Sequence, residues 1–342
     1  MRTLIPSLLL FAASAAAQRI PINDLGTSMY LGKFEGGLYE NGSNQMPADH
    51  RLAEMRHAAS VEPLDRDGNP AADGKIVLLS IGMSNTTQEF CAQGNPSPCA
   101  PWSFAGQAAS DPAVNHRTLV TVNGARGGQD ASTWDAPTKS NYNLIRDTDL
   151  TPAGLSEKQV QAVWLKIANA QPTVALPSPN ADAYRLEQQT GNIVRALKTR
   201  YPKLQLVFIS SRIYAGYATT ALNPEPYAYE SGFAVKWTVA AQIEQRRSAR
   251  VDPAAGNLDD GPGGQPWIGW AAYLWADGMN ARSDGLTWAR ADLEGDGTHP
   301  SQSGEQKVGA MLLEFFKHDA GTVSWFLANP PRTAARHRAA LP

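Results

Sequence analysis

Residues 76–84, Ile-Val-Leu-Leu-Ser-Ile-Gly-Met-Ser, are an apolar run that ends in a glycine and leads to a serine. Four similar apolar runs follow it along the chain, at residues 119–122, 160–167, 204–209 and 267–274. Short runs of this kind are typical of strands that are buried on both faces, as in a parallel sheet. We therefore predict a mostly parallel five-stranded sheet that begins with the quoted stretch.

Helical patterns lie between these apolar runs. Helices are expected within residues 183–199, 233–247 and 308–316. Strands that alternate with helices predict an α/β fold, a doubly wound (flavodoxin-like) three-layer sandwich. In such sheets the functional site lies at the carboxyl ends of the strands. Residues 183–199 place four apolar side chains mainly on one face, Leu186, Ile193, Val194 and Leu197.

The composition is that of a globular protein. Of 342 residues, 42% are apolar and 18% are charged, and the formal net charge is -2. This balance gives no reason to expect nucleic acid or an anionic membrane surface as a partner. Beyond the N-terminal region no stretch is apolar enough for a membrane span.

The N-terminus has the three parts of an export signal in the right order. Met1 and Arg2 supply a positive end, residues 4–16 are apolar but too short to cross a bilayer, and three alanines end at Ala17. We predict a signal peptide over residues 1–17, cleaved after Ala17, and a secreted or periplasmic protein. A buried N-terminal helix is the alternative.

The chain has two cysteines, Cys91 and Cys99. In an exported protein they can be oxidised, and their spacing closes a short loop, so we expect a disulfide. The alternative is two free thiols. A structural zinc site is not favoured, because no histidine lies near the pair.

The domain organisation follows from composition. Residues 18–75 are rich in Gly, Asn, Asp and Pro, which predicts an irregular lead-in packed on the main domain, with a short hairpin near Gly68. We predict that residues 76–330 form the main domain. Residues 331–342 have the composition of a flexible tail.

A carboxylate and a histidine stand three residues apart in the stretch Asp296-Gly297-Thr298-His299. On a loop that leads into a helix, Asp296 can reach the imidazole of His299, fix its tautomer and stabilise its protonated form. The alternative is a loop that merely contains both residues.

Ser84 follows the end of the first predicted strand. A sharp turn into a helix there would expose its hydroxyl and leave its backbone amide free to donate. The alternative is an ordinary helix-capping serine. The Gly-x-Ser-x-Gly motif of the common α/β-hydrolases is absent from the sequence, which argues against that fold.

Two further strand ends carry groups that can donate to an oxyanion. Gly127 and Gly128 follow the second strand, and adjacent glycines let backbone amides turn toward a bound anion. Asn169 follows the third strand, and its side-chain amide can donate as well. The alternatives are a tight turn and a capping asparagine.

The serine, the glycines, the asparagine and the Asp/His pair follow one another along the chain in the order found in the SGNH (GDSL-type) hydrolase superfamily. The sequence resembles that superfamily over about residues 75–318. The first block has Gly-Met-Ser where the superfamily has Gly-Asp-Ser, and the third keeps only the asparagine of Gly-x-Asn-Asp. If the match to the second block is shifted by one residue, Gly127 takes the place of Gly128. Ser84 matches block I, Gly128 block II, Asn169 block III, and Asp296 with His299 block V.

The resemblance implies a secreted serine esterase that cleaves a carboxylic ester, first of all a carbohydrate O-acetyl ester, on a small molecule or a polysaccharide. It assigns Ser84 as nucleophile, His299 as base and Asp296 as its partner. It assigns the hydrogen-bond donors to the oxyanion as Ser84, Gly128 and Asn169. It calls for no cofactor and no metal.

Two sequence features bear on the substrate. Arg126, beside the glycines, could contact an anionic substrate. Aromatic rings near a cleft can stack on sugars, although core positions are the more common role of tryptophan. Four tryptophans precede the Asp/His loop, Trp267, Trp270, Trp275 and Trp288.

Three alternatives remain open from the sequence. The first is a catalytically inactive glycan-binding protein of the same fold, and the second is an O-acyltransferase that uses the same serine. The third is a calcium-binding module, because Asp292, Glu294, Asp296 and Gly297 imitate the start of a calcium loop. The twelfth position of that loop would be Ser303 and not the bidentate glutamate such loops need.

Overall fold

The computed structural model of the chain describes residues 19–93 and 98–330. The predicted signal peptide and the predicted C-terminal tail lie outside these ranges. The strands are β1 (Met29–Tyr30), β2 (Phe34–Glu35), β3 (Ile76–Gly82), β4 (Leu119–Asn123), β5 (Val160–Lys166), β6 (Leu206–Ser210) and β7 (Trp267–Trp270).

The central sheet has five parallel strands in the order β4-β3-β5-β6-β7. Each of the five apolar runs in the sequence forms one of these strands. The first strand of the sheet lies second in the order, which is the flavodoxin-like, doubly wound topology. The predicted fold class is therefore confirmed. Strands β1 and β2 form a separate antiparallel ribbon.

Helices connect the strands. The predicted helical segments 183–199, 233–247 and 308–316 lie within α6 (Asp182–Arg200), α7 (Tyr227–Ser248) and α8 (Gln302–His318). Single 3₁₀ turns span Glu40–Gly42, Ala131–Thr133, Glu157–Gln159 and Arg290–Asp292, and a π-helical segment, Ile145–Leu150, continues α5. The helices are α1 (Ile22–Leu25), α2 (Ala48–Ala59), α3 (Ser84–Cys91), α4 (Phe104–Ser110), α5 (Ser140–Leu144), α6 (Asp182–Arg200), α7 (Tyr227–Ser248), α8 (Gln302–His318) and α9 (Val323–Phe326).

A hydrophobic core lies on each face of the sheet. Side chains of β3 alternate between the two cores: Val77 and Leu79 pack with residues of α6 and α7. Leu78 packs on the other face with residues of α2, α3, α4, α8 and α9. All seven residues of β3 are buried, which explains why its sequence is apolar apart from Ser80 and does not alternate with polar residues; the hydroxyl of Ser80 donates to Asn123 at 2.7 Å.

The N-terminal region contains a helix of 12 residues, α2, that the composition did not predict. Its buried positions are His50, Ala53, Glu54 and Ala58, so the face toward the sheet lacks the apolar periodicity of an ordinary amphipathic helix. The ring of His50 stacks on Trp267 of β7 at 4.9 Å. The hairpin was predicted near Gly68, and the chain turns there.

Two further expectations concern export. Cys91 and Cys99 form a disulfide with their Cα atoms 4.8 Å apart, which confirms the predicted pairing and ties the end of α3 to the segment before α4. Within residues 19–93 and 98–330, no helix combines the length and the apolar character that crossing a membrane requires.

The contact between α2 and the sheet predicts a pH dependence of stability. His50 is fully buried, and its Nδ1 lies 2.9 Å from a guanidinium nitrogen of Arg246. Burial, followed by the charge of Arg246, lowers the pKa of His50 from 6.5 to about 3. The unfolded chain therefore takes up a proton that the folded chain excludes, and His50 lowers the free energy of unfolding as pH falls from 6.5 to about 3.

His50 can contribute up to about 1.4 kcal/mol per pH unit to the change of the free energy of unfolding with pH. We expect this contribution to be absent in the variant His50→Leu, as measured by urea unfolding across that pH range. The matched control is His116→Gln, which changes an exposed histidine and should keep the wild-type slope. Identical slopes in wild type and His50→Leu would contradict the prediction.

Candidate active site

The turn between β3 and α3 positions Ser84 at the carboxyl edge of the sheet. Strand β3 ends at Gly82, and Ser84 is the first residue of α3 and half-buried. A Cβ atom on Gly82 would lie 2.1 Å from the carbonyl oxygen of Lys166 on the neighbouring strand. Only glycine fits at this close approach, and the chain can therefore turn directly from the strand into the helix.

Ser84 and His299 meet at this edge although 215 residues separate them. The Oγ atom of Ser84 lies 2.7 Å from Nε2 of His299, and Nδ1 of His299 lies 2.6 Å from Oδ2 of Asp296. With Nδ1 protonated, the ring donates to the carboxylate while Nε2 accepts from the serine hydroxyl. This geometry allows the imidazole to take the hydroxyl proton.

The carboxylate of Asp296 is held by three donors. Its Oδ1 accepts the backbone amides of Thr298 at 2.9 Å and of His299 at 3.0 Å, while Oδ2 accepts from the ring. Burial alone would raise the pKa of Asp296, but these hydrogen bonds outweigh it and lower the pKa below its usual value. Asp296 is thus ionised and fixed in orientation at neutral pH.

Asn85 is a residue of the site that sequence reasoning missed. Its side chain is buried, and Nδ2 donates to the carbonyl oxygen of Thr298 at 2.9 Å. The bond joins the helix that begins with Ser84 to the loop that carries Asp296 and His299. No spacing pattern could have indicated it, because it depends on how the loop lies across α3.

A buried ion pair lies beneath the site. The Nζ atom of Lys166, at the end of β5, lies 2.5 Å from both carboxylate oxygens of Glu89 on α3, and both side chains are almost fully buried. Burial raises the pKa of Glu89 and lowers that of Lys166 to about 8, while their mutual attraction opposes both shifts. The signal in the sequence was a lysine inside an otherwise apolar run, which requires a partner.

The two glycines after β4 differ in position. Gly127 lines the cleft at Ser84, and a Cβ atom built on it would lie 3.9 Å from Cβ of Ser84. Gly128 has a φ of +74° and does not line that cleft. The amide of Arg126 donates to the carbonyl oxygen of Gly82 at 3.0 Å, which fixes this loop beside the serine. Gly128 as an oxyanion donor stays a prediction, with Gly127 the alternative nearer to Ser84.

Asn169 lies apart from the cleft. Its side-chain amide donates to the carbonyl oxygen of Asp182 at 3.3 Å, and its own carbonyl oxygen accepts from Asn223 at 3.1 Å. The side chain is buried and lines a separate small cavity. Its role as an oxyanion donor stays a prediction, and it would use the second N–H of the amide, since the first donates to Asp182.

The cleft at Ser84 has a volume of about 420 Å³. None of the residues that line it has a large hydrophobic side chain. The cleft is lined by Ser84, Thr87, Gln88, Gly127, Glu294 and His299.

The two sequence features that bear on the substrate lie as follows, and the tryptophans take the core role that was the more common one. Trp267, Trp270, Trp275 and Trp288 are 0–4% exposed and belong to the hydrophobic cores, so they cannot stack on a sugar in the cleft. The guanidinium of Arg126 forms an ion pair with Asp149 and donates to Thr148 at 3.2 Å. It is therefore already bound to protein groups.

The residues that imitate a calcium loop have other partners. Asp292 accepts from Lys307 at 2.5 Å and from Ser303 at 3.0 Å, and Asp296 accepts from His299. Across the described ranges, no group of three or more His, Cys, Asp or Glu side chains is arranged to hold a metal ion. The calcium-loop interpretation has no support in this geometry.

The sequence matches no protein-family model and no curated protein. Solved structures do show a similar fold. A GDSL-like lipase from Parabacteroides merdae is 12% identical with a TM-score of 0.41, and the match covers 74% of this chain and 97% of that one.

Two further solved structures are similar. A carbohydrate esterase family 2 enzyme with a carbohydrate binding domain, from Corynascus thermopiles, is 14% identical with a TM-score of 0.40, over 73% of this chain and 68% of that one. An extracellular lipase from Streptomyces rimosus is 14% identical with a TM-score of 0.32, over 70% of this chain and 98% of that one. At these identities the likeness is one of fold.

The buried ion pair predicts a large loss of stability when one partner is removed. In Lys166→Met the carboxylate of Glu89 stays buried without its cation, so we expect the free energy of unfolding to fall by about 3–5 kcal/mol in urea titrations. The double variant Lys166→Met/Glu89→Leu removes both charges of the pair and should recover part of that loss, since the buried Arg212 also loses the favourable charge of Glu89. A double variant as unstable as the single one would contradict this interpretation.

Proposed function

We propose that the chain is a serine esterase that hydrolyses a carboxylic ester through an acyl-enzyme. The observation that carries the proposal is the hydrogen-bonded series from Ser84 through His299 to Asp296, with contacts of 2.7 and 2.6 Å. A nucleophile, a base and a group that orients the base in this geometry are the requirements of acyl transfer by serine.

The reaction proceeds in two steps. Ser84 Oγ attacks the ester carbonyl while its proton passes to Nε2 of His299, and the tetrahedral intermediate collapses as that proton goes to the leaving alcohol. Water then enters, gives a proton to His299 and attacks the acyl carbon. The proton returns to Ser84 as the acid leaves. Asp296 stabilises the imidazolium in both steps.

The oxyanion requires donors close to Ser84. The amide of Ser84 is one of the first in α3 and has no carbonyl partner within the helix, so it can donate. Gly128 or Gly127 and the side chain of Asn169 are the further donors in this proposal. In well-studied enzymes one such donor is worth about 3 kcal/mol of barrier.

A carbohydrate O-acetyl ester is the proposed substrate, on a small molecule or a polysaccharide. The absence of large hydrophobic side chains from the lining of the cleft supports a small acyl group rather than a long one. Export after cleavage behind Ala17 is part of the proposal, and the disulfide between Cys91 and Cys99 is consistent with an oxidising compartment. Residues 76–330 form the catalytic domain, and residues 18–75 pack on it.

Replacement of the nucleophile tests the reaction. We expect Ser84→Ala to lower kcat/KM for p-nitrophenyl acetate by about a thousandfold or more, because no other group can form the acyl-enzyme. A fluorophosphonate probe should label the wild type and not the variant, whereas an inactive glycan-binding protein would not be labelled at all. The control is Ser248→Ala, an exposed serine at the end of α7. Wild-type turnover in Ser84→Ala would refute the proposal.

Replacement of Asn85 tests how the catalytic loop is positioned. Asn85→Leu keeps the volume but removes the bond to Thr298, so His299 is held less firmly against Ser84. We expect kcat to fall about 10- to 100-fold with little change in KM. Asn192→Leu, on α6 and outside the cleft, is the control. An unchanged kcat together with a lower melting temperature would limit Asn85 to a structural role.

A further inference from the structure

A second cavity, of about 470 Å³, lies between α6, α7 and the segment after β2. It shares no lining residue with the cleft at Ser84. Helices α6 and α7 pack on one face of the sheet, and this cavity opens beside them. It is therefore a separate site whose occupant is not explained by ester hydrolysis.

Glu187 of α6 lines this cavity and is only 6% exposed. Within the described ranges its carboxyl group has no hydrogen-bond or ion-pair partner. A buried carboxylate without a partner is unfavourable by several kcal/mol, and proteins otherwise supply a cation or a donor. The cavity therefore lacks a group that would complement Glu187.

Asp252 lines the same cavity and adds a second carboxylate. Its Oδ1 is fixed by the amides of Ala254 at 2.7 Å and Ala255 at 2.9 Å. Burial, followed by the charge of Asp252, raises the pKa of Glu187 to about 8. The two carboxyl groups thus repel each other, and a cation placed between them would relieve the repulsion.

The basic side chains at the cavity are already engaged. Arg247 donates to both carboxylate oxygens of Glu40 at 2.9 Å, and Lys236 donates to two backbone carbonyl oxygens. Arg250 is largely exposed and lies 3.8 Å from Glu244. None of these contacts involves Glu187 or Asp252, so no basic side chain of the cavity pairs with either carboxyl group.

Aromatic rings form one wall. Tyr184 and Trp237 stack with centroids 5.0 Å apart, and Phe34 lies 5.8 Å from Trp237. All three line the cavity. Aromatic rings attract cations and also cover alkyl groups, whereas Ca²⁺ and Mg²⁺ take six or more oxygen ligands. The combination of two carboxyl groups with aromatic rings suits an organic cation.

We propose that this cavity binds a small organic cation, an alkylammonium group held by Glu187 and Asp252 against Tyr184 and Trp237. The source could be a free amine or an amine on a larger molecule, and the chemistry at the cavity is the same for both. The proposal is independent of the esterase reaction and needs no turnover to be tested.

Binding must depend on pH, because the cation pairs with the ionised form of Glu187. Below the raised pKa of Glu187, about 8, each binding event releases its proton, so affinity should rise about tenfold per pH unit from about pH 6 to about pH 8. Carboxylates ordinarily titrate below this range, and lysine, arginine and tyrosine above it. The other titratable groups that line the cavity are Glu40, Glu244, Asp252, Lys236, Arg247, Arg250, Tyr39 and Tyr184.

Calorimetric titration of the full chain with cadaverine, and with pentanediol as its neutral analogue, tests the proposal. We expect cadaverine to bind with the stated pH dependence and pentanediol not to bind. Glu187→Gln should weaken cadaverine binding about tenfold or more and remove the pH dependence. Asp252→Asn should move that dependence to lower pH, since Glu187 then loses a neighbouring charge.

Glu314→Gln is the matched control, because Glu314 is an exposed glutamate on α8 across the sheet. Thermal melting of each variant verifies that it is folded. Equal binding of cadaverine and pentanediol would indicate a site for neutral polyols and overturn the proposal. It would equally fail if cadaverine did not bind, or if Glu187→Gln bound it as the wild type does. Methylated cadaverine attached to a soluble polymer distinguishes the two sources of the amine. Binding of the attached amine indicates a site for an amine on a larger molecule, and loss of binding indicates a site for a free amine.

Discussion

Strand β3 is bonded on both edges and buried on both faces, and the position of the candidate site depends on this confinement. It pairs in parallel with β4 and β5, and each of its residues is buried. Such a strand cannot shift by one residue without exchanging its two faces. Its end at Gly82 is therefore fixed, and so is Ser84 at the start of α3.

The other half of the site reaches the same edge by a different route. The loop with Asp296 and His299 follows β7 through a long irregular segment, whose tryptophans are buried in the cores. One contact then attaches this half to the first, and another anchors the first half to the sheet. Asn85 bonds the loop to α3, and Lys166 with Glu89 ties α3 to β5. The Ser84–His299 contact thus rests on the sheet register and on two buried polar links.

The parts of the molecule that could be predicted from sequence are those dictated by a single physical rule. Burial on both faces produces continuous apolar runs, so the strands were visible, and parallel strands bring their carboxyl ends to one edge, so Ser84, Asp296 and His299 were expected to converge. Helix α2 followed no such rule, because its buried face carries His50 and Glu54 among alanines. The orientation of Asn169 depends on which carbonyl packs against it, and no sequence pattern encodes that.

The distribution of tryptophans has a spectroscopic consequence. Of the nine tryptophans, seven are buried, and Trp102 and Trp237 are half-buried. None of the nine lines the cleft at Ser84, whereas Trp237 lines the second cavity. Intrinsic emission will thus be dominated by indoles shielded from water, and a quencher such as iodide will reach only a minor fraction. Occupancy of the cleft will leave that accessible fraction unchanged, while occupancy of the second cavity will alter it.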